Sequence, residues 1–214
     1  MKLTTALTLA TTFAGVVSTH AAVVLSNLSL SADDSWPIVT GEYLAQSFRV
    51  GNAATGYSID GLDVRLHLTD DSTAPLVFSI YTDSGNQPGT AVGQLTTGTA
   101  PTTAGVYSFA PTASIILDSA TTYWIVASTT GTARYNWSIS QSFGFSAEDT
   151  WSVDGSDFTL GYSENAGTSW DIYAADDGIG PALFAISATP VPEPSAPALL
   201  LGATSLVLTL RRRK

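Results

Sequence analysis

Apolar and polar residues alternate with a period of two along most of the chain between positions 22 and 190. The clearest case is GLDVRLHLTD, in which Leu62, Val64, Leu66 and Leu68 alternate with Asp63, Arg65, His67 and Thr69. Alternation of this kind predicts a strand that has one face in the core and one face in water.

Similar runs recur along the chain, separated by clusters of turn-forming residues. The runs are AVVLSNL, EYLAQSFRV, PLVFSIYTD, GVYSFAP, TTYWIVAST, ARYNWSIS, FTLGYS, WDIYA and ALFAISA, and the turn clusters include DSGNQPG, VDGSD and DDGIGP. Threonine and β-branched residues favour strands, and no segment within this region has a convincing helical period. The pattern therefore predicts an all-β fold, an antiparallel β-sandwich, of which a jelly roll is one form.

The first residues depart from this pattern. Lys2 is followed by the mostly apolar LTTALTLATTFAGVV and then by STHAA, whose small residues suit cleavage near Ala21 or Ala22. A charged start, an apolar stretch and a small-residue cleavage site predict a secretory signal peptide over residues 1–21, removed by signal peptidase.

The last residues, 190–214, divide into a proline-rich linker, an apolar run and a basic end. The apolar run, 196–210, has 15 residues, and a helix of that length reaches roughly 22 Å against a hydrocarbon core of about 30 Å. The basic end, Arg211, Arg212, Arg213 and Lys214, resists translocation. We expect a hydrophobic helix that inserts transiently in the membrane, with a domain over residues 22–189 outside it.

These two ends together resemble the PEP-CTERM family of bacterial exported proteins. The resemblance is carried by Pro192, Glu193 and Pro194, by the apolar stretch that follows, and by the basic end. It implies that an exosortase, a membrane transpeptidase, cleaves near the Pro-Glu-Pro motif. The protein would then pass to the cell envelope or extracellular matrix after transient tethering at the inner membrane.

The middle of the chain resembles a second family. AQSFRVG, YSIDGLDVRL, FSIYTDSGNQPGTAVGQL and LDSATTYWIVAST, between positions 45 and 129, are similar to the choice-of-anchor R domain. That β-rich module is found joined to PEP-CTERM and other surface anchors, and it has no assigned catalytic residues. The resemblance implies a noncatalytic surface protein with a structural, adhesive or interaction role.

Charge changes sharply when both signals are removed. The whole chain has a net charge of −10, but residues 22–190 hold only three arginines and no lysine against 17 acids, a formal charge of −14. Such a surface repels nucleic acid, which we therefore do not expect as a partner. The chain contains no cysteine, which excludes disulfides and thiol chemistry.

Catalytic candidates are few. His67 is the only histidine after signal removal and falls on the polar side of its predicted strand, and no Gly-x-Ser-x-Gly motif accompanies it. A pair of carboxylates could serve a glycoside hydrolase, and the region 148–177 is rich in both acids and aromatics. Aspartates also favour turns and tryptophans also fill cores, so the same residues fit a structural role.

The hypotheses for this acidic, aromatic region remain open. The main expectation is that the protein is not an enzyme; the alternative is a carbohydrate-binding module, with exopolysaccharide as partner and Trp151 and Trp170 as glycan contacts. No cofactor is expected other than calcium, for which the candidate ligands are Asp154, Asp157, Asp176 and Asp177. The local sequences lack the spacing of an EF-hand loop.

Overall fold

The computed structural model describes residues 21–69, 74–153, 159–174 and 177–193. Within these ranges the protein is all-β, and every strand pairing is antiparallel. The strands are β1 (Ala22–Ser26), β2 (Asp34–Val39), β3 (Tyr43–Arg49), β4 (Tyr57–Thr69), β5 (Leu76–Asp83), β6 (Pro88–Thr96), β7 (Gly105–Pro111), β8 (Ile116–Leu117), β9 (Thr122–Thr129), β10 (Arg134–Ile139), β11 (Ser146–Ala147), β12 (Thr159–Ser163), β13 (Asp171–Ala174) and β14 (Phe184–Pro190).

The strands form two layers joined at one corner. The first layer has the order β13-β12-β3-β9-β5-β6, and the second has the order β11-β1-β14-β4-β7. Strands β8 and β10 also pair with β4, and β2 pairs with β10. Pairing of β6 with β7 connects the layers, with Leu95 opposite Pro111. The arrangement agrees with the predicted sandwich-like, all-β fold.

The core lies between the two layers. Phe78 of β5 contacts Phe109 of β7, with ring centroids 4.6 Å apart, and Trp137 of β10, with ring centroids 5.1 Å apart. Because these rings come from opposite layers, they show that the apolar faces of the layers meet. Each of the three rings has at most 1% of its surface exposed.

The predicted alternation in β4 is confirmed where the side chains are described. Leu62, Val64 and Leu66 are buried, whereas His67 is exposed. Strands β2 and β6 were not among the predicted runs, because β2 contains Pro37 and β6 contains two glycines. Among the described residues, no helix is long and apolar enough to cross a membrane; the apolar segment 196–210 lies outside those residues.

Candidate functional site

Trp151 lies in the core, close to the end of β3. Only 2% of its surface is exposed. Its ring stacks on Phe48 with the centroids 6.1 Å apart and the planes within 4°, and it meets Tyr57 edge to face at 5.0 Å. A ring buried in this way offers no face to a sugar, so the prediction of Trp151 as a glycan contact is corrected: its role is packing.

Trp170 lies on the outer face of the first layer, just before β13. It is half-buried and packs, with Tyr43, Tyr81 and Ile172, over a small buried cluster. That cluster consists of Ala45, Trp124 and Val126. We call the seven residues together the outer-face cluster. Among the described residues it is separate from the main core, because its members point away from the opposite layer.

Two glycines, Gly161 and Gly167, leave the space that the Trp170 ring occupies. A Cβ atom on Gly161 of β12 would lie 3.2 Å from Cε3 of Trp170, and a Cβ atom on Gly167 would lie 3.5 Å from Cζ2 of the same ring. Gly167 has a φ of +82°, which favours glycine. The absence of side chains at both positions lets the indole lie close to the strand and the turn.

The base of the outer-face cluster is buried and hydrogen-bonded. Trp124 of β9 is completely buried, and its indole N–H donates a hydrogen bond to Oδ1 of Asp83 at 2.8 Å. Burial raises the pKa of Tyr81, and the neighbouring Tyr43 raises it further. The two half-buried tyrosines therefore lie close enough to influence each other, next to Trp170 on one face.

A second aromatic feature opens between the two layers. Trp36 and Pro37 of β2, Tyr162 of β12 and Tyr173 of β13 line a cleft of about 280 Å³. The Trp36 ring lies 5.6 Å from that of Tyr162 and 5.2 Å from that of Tyr173, at angles of 81° and 85°. We call these four residues the aromatic cleft. Because all four are half-buried, the cleft combines ring surface with access to solvent.

The aromatic cleft has an acidic rim. The Tyr162 hydroxyl donates a hydrogen bond to Oε2 of Glu42. Burial raises the pKa of Tyr162 to about 12, and the hydrogen bond to Glu42 and the charges of Glu42 and Glu164 contribute to this shift. The two carboxylates, of Glu42 and Glu164, make the electrostatic potential at this rim negative.

The other predicted site residues lie apart from these features or outside the described ranges. Asp177 is exposed and accepts a hydrogen bond from the Ala174 amide at 2.8 Å, as a turn residue does. No metal-binding group of three or more ligands occurs among the residues that the structure describes. The candidates Asp154, Asp157 and Asp176 lie outside those residues, as do Pro194, Arg211, Arg212, Arg213 and Lys214. Pro192 and Glu193 are exposed directly after β14.

The sequence interpretation found Trp170 and missed its neighbours. Tyr43 and Tyr81 lie on strands that are distant from Trp170 in sequence. Trp36, of the aromatic cleft, lies on a strand that the pattern does not predict. Trp36 beside Pro37 was the available signal, because an aromatic next to proline suits an edge strand with an exposed side.

Comparisons with protein-family models, with curated proteins and with solved structures found no match to this chain.

Proposed function

We propose that this protein is exported and sorted by an exosortase to the cell envelope or extracellular matrix, where its β domain has a noncatalytic structural or adhesive role. The observation that carries the proposal is the position of the sorting motif. Strand β14 ends at Pro190, and Pro192 and Glu193 follow immediately on the surface. A peptidase can therefore reach these two residues of the motif without opening the domain.

Both ends of the domain support processing at two sites. Strand β1 begins at Ala22, next to the expected signal-peptidase cleavage, and Ala22 lies opposite Ala188 of β14. The Val191 amide donates a hydrogen bond to the Gly56 carbonyl at 3.0 Å, and the Thr55 hydroxyl donates one to the Val191 carbonyl. Cleavage after Ala21 and beyond Val191 would leave the strands and these contacts intact.

The proposal assigns no reaction to the domain. Its only histidine after signal removal, His67, is exposed on β4. In the proposal the hydrophobic segment 196–210 tethers the protein only until cleavage, and residues 22–189 form a sandwich of jelly-roll type. Signal peptidase and exosortase are the partners during processing.

The processing proposal is tested by the mass of the mature protein. In a host with an active exosortase, surface-extracted protein should lack residues 1–21 and the basic end. Replacing Pro192, Glu193 and Pro194 by alanine should leave secretion intact and cause accumulation in the membrane. Recovery of Arg211 to Lys214 on the mature protein, or unchanged release of the triple variant, would contradict the proposal.

Carbohydrate binding is the second candidate function, and the outer-face cluster is the observation that favours it. Half-buried Trp170, Tyr43 and Tyr81 share one face of the first layer. Aromatic contacts of this kind contribute about 0.5–1.5 kcal/mol each, so single-site binding would be weak and repetition on a surface would make it effective.

Titration with polysaccharides, followed by tryptophan fluorescence with and without calcium, tests this second function. Trp170→Phe should reduce the fluorescence response, and Trp151→Phe, which changes a core residue, should leave the affinity unchanged. No response to any polysaccharide and no calcium-dependent rise in melting temperature would contradict carbohydrate binding and calcium binding respectively.

A further inference from the structure

The aromatic cleft lies where both layers end. Among the described strands, β2 pairs only with β10, and β13 pairs only with β12. Both are therefore edge strands in the part of the chain that the structure describes, and residues of both line the cleft. Trp36 lies opposite the buried Trp137, which directs it towards the interior side of its layer. The cleft is thus a continuation of the core that remains open to solvent.

Its rings are arranged as walls. Tyr162 and Tyr173 both stand nearly perpendicular to Trp36, at 81° and 85°. They come from adjacent strands, with Tyr162 opposite Asp171 and Tyr173 opposite Leu160, so they lie diagonally across one face of the β12–β13 pair. Aromatic rings that border an open volume attract organic cations through those ring faces that no neighbouring ring covers.

The charges around the cleft have the sign that a cation requires. Glu42 accepts the hydrogen bond of Tyr162, and Glu42 and Glu164 both act on the Tyr162 hydroxyl. The residues that line the cleft include no cation, and residues 22–190 contain only three basic side chains. The same field that opposes a tyrosinate anion favours an ammonium group.

The volume of the cleft and the chemistry of its lining limit the kinds of ligand that it can bind. A volume of 280 Å³ corresponds to about nine waters at roughly 30 Å³ each, which suits one sugar ring. A bare metal ion prefers several oxygen ligands and gains little from aromatic walls. An amino sugar offers both parts that the cleft matches, a CH-rich ring for the aromatics and an ammonium group for Glu42.

We propose that the aromatic cleft binds the protonated amino-sugar units of a partly deacetylated polysaccharide. The sugar ring would contact Trp36 and Tyr173, and the ammonium group of the sugar would lie near Glu42. This inference deepens the carbohydrate-binding candidate, on which its ligand class rests, but it assigns a site different from the outer-face cluster and adds a charge preference.

Two matched oligosaccharides test the preference in the full chain, purified in mild detergent. The probes are a β-1,4-linked glucosamine tetramer and the same tetramer fully N-acetylated, titrated at pH 6 with calorimetry. We expect the glucosamine tetramer to bind about tenfold more tightly, because its ammonium group gains a charge-assisted contact with Glu42. Equal binding of both, or preference for the acetylated form, would overturn the proposal.

Matched variants assign the site. Tyr173→Leu keeps an apolar side chain but removes the ring, and should weaken binding of the glucosamine tetramer about tenfold, whereas Tyr107→Leu, the same change on β7 outside both candidate sites, should change it less than twofold. Glu42→Gln should weaken it about fivefold, whereas Glu148→Gln, an equal charge change at an exposed position away from the cleft, should change it less than twofold. Thermal melts confirm folding.

The outcomes separate this inference from the outer-face candidate. Loss of binding in Tyr81→Leu but not in Tyr173→Leu would overturn the cleft proposal while supporting the outer face. Equal effects of Glu42→Gln and Glu148→Gln would show general attraction to an acidic protein and would also overturn it. If Tyr173→Leu does not fold, the comparison of Glu42→Gln with Glu148→Gln decides the question.

Discussion

Two regions of the molecule each contain a tryptophan packed over a glycine and a tyrosine bonded to a carboxylate. The first region is enclosed by other side chains, and the second is partly open to solvent. In one, Trp151 lies over Gly51 and the Tyr57 hydroxyl bonds to Asp149. The other spans both faces of β12: Trp170 lies over Gly161 on the outer face, and on the opposite face the Tyr162 hydroxyl bonds to Glu42.

The first region is closed by Phe48 and Tyr57, whereas the second lies at the β12–β13 edge. Tyr57 is 2% exposed, but Trp170 and Tyr162 are both half-buried. A tryptophan over a glycine and a tyrosine bonded to a carboxylate thus contribute to stability in the first region and remain available for recognition in the second. What differs is the number of neighbouring elements that cover them, since β13, which lies beside β12 and directly after Trp170, has no second partner among the described strands.

The largest effect should come from removing Trp151, and the same change at Trp170 gives the comparison. Trp151→Ala should lower the free energy of unfolding by about 3–5 kcal/mol, because a fully packed ring leaves a cavity. Trp170→Ala should lower it by about 1–2 kcal/mol, since the ring is only half-buried. Urea unfolding followed by circular dichroism measures both, and equal losses would show that Trp170 is as enclosed as Trp151.

The glycines beneath the tryptophans give a sharper test. A Cβ atom at position 51 would lie 2.4 Å from the Asp149 carbonyl oxygen and 2.6 Å from Cδ1 of Trp151. Gly51→Ala should therefore destabilise the fold by about 2–3 kcal/mol, as overpacking does.

Gly161→Ala is the matched control. Its nearest contact would be 3.2 Å, to Cε3 of a half-buried ring that can shift. We expect a change below about 1 kcal/mol, because alanine also suits a strand better than glycine. A larger loss in melting temperature for Gly161→Ala than for Gly51→Ala would contradict the ranking of the two regions.

Removing the hydroxyls of the two tyrosine–carboxylate pairs should change the free energy of unfolding by amounts that differ less than those of the tryptophan and glycine variants. Tyr57→Phe removes a hydrogen bond made by a buried ring and should cost about 1 kcal/mol, whereas Tyr162→Phe at the open cleft should cost about 0.5 kcal/mol. Chemical denaturation at neutral pH measures both changes. If the cost for Tyr162 exceeded that for Tyr57, the cleft would be a structural element rather than an open site.

The smallest effect concerns alkaline pH. The folded-state pKa values of Tyr57, Tyr81 and Tyr162 are all raised, mainly by burial, and that of Tyr162 reaches about 12. A raised pKa means that the folded state favours the neutral tyrosine. The contribution of these neutral tyrosines to the free energy of unfolding is therefore complete below pH 10, which is the tyrosine pKa in the unfolded state. It is lost as the pH rises towards 12.

Melting temperatures between pH 8 and pH 11.5 test this sign. The melting temperature should decline above pH 10, and the decline should be smaller in Tyr162→Phe than in the unchanged protein. Ultraviolet titration at the tyrosinate band should show Tyr162 ionising late. A melting temperature that rises above pH 10 would contradict the predicted linkage.

Most of the strand pattern could be predicted from the sequence, since alternation in a run such as that of β4 states which side chains share a face. Strand β2 could not, because Pro37 argues against a central strand; the structure shows that β2 pairs only with β10 among the described strands, where proline is tolerated. Strand β6 has no clear alternation, and Gly93 is instead required by Ile115, which would lie 2.5 Å from a Cβ atom there.

The sequence by itself determined the all-β class, the inward side of the main strands and the acidic character of the domain, whereas the signals at the two ends stay predictions. Only the tertiary structure decided that Trp151 is enclosed and Trp170 is not, although both lie in turn-rich, acidic sequence. It also brought Trp36 to Tyr162 and Tyr173, more than a hundred positions away. The physical reason is that periodicity reports which face of a strand is apolar, whereas exposure depends on which other strands cover that face.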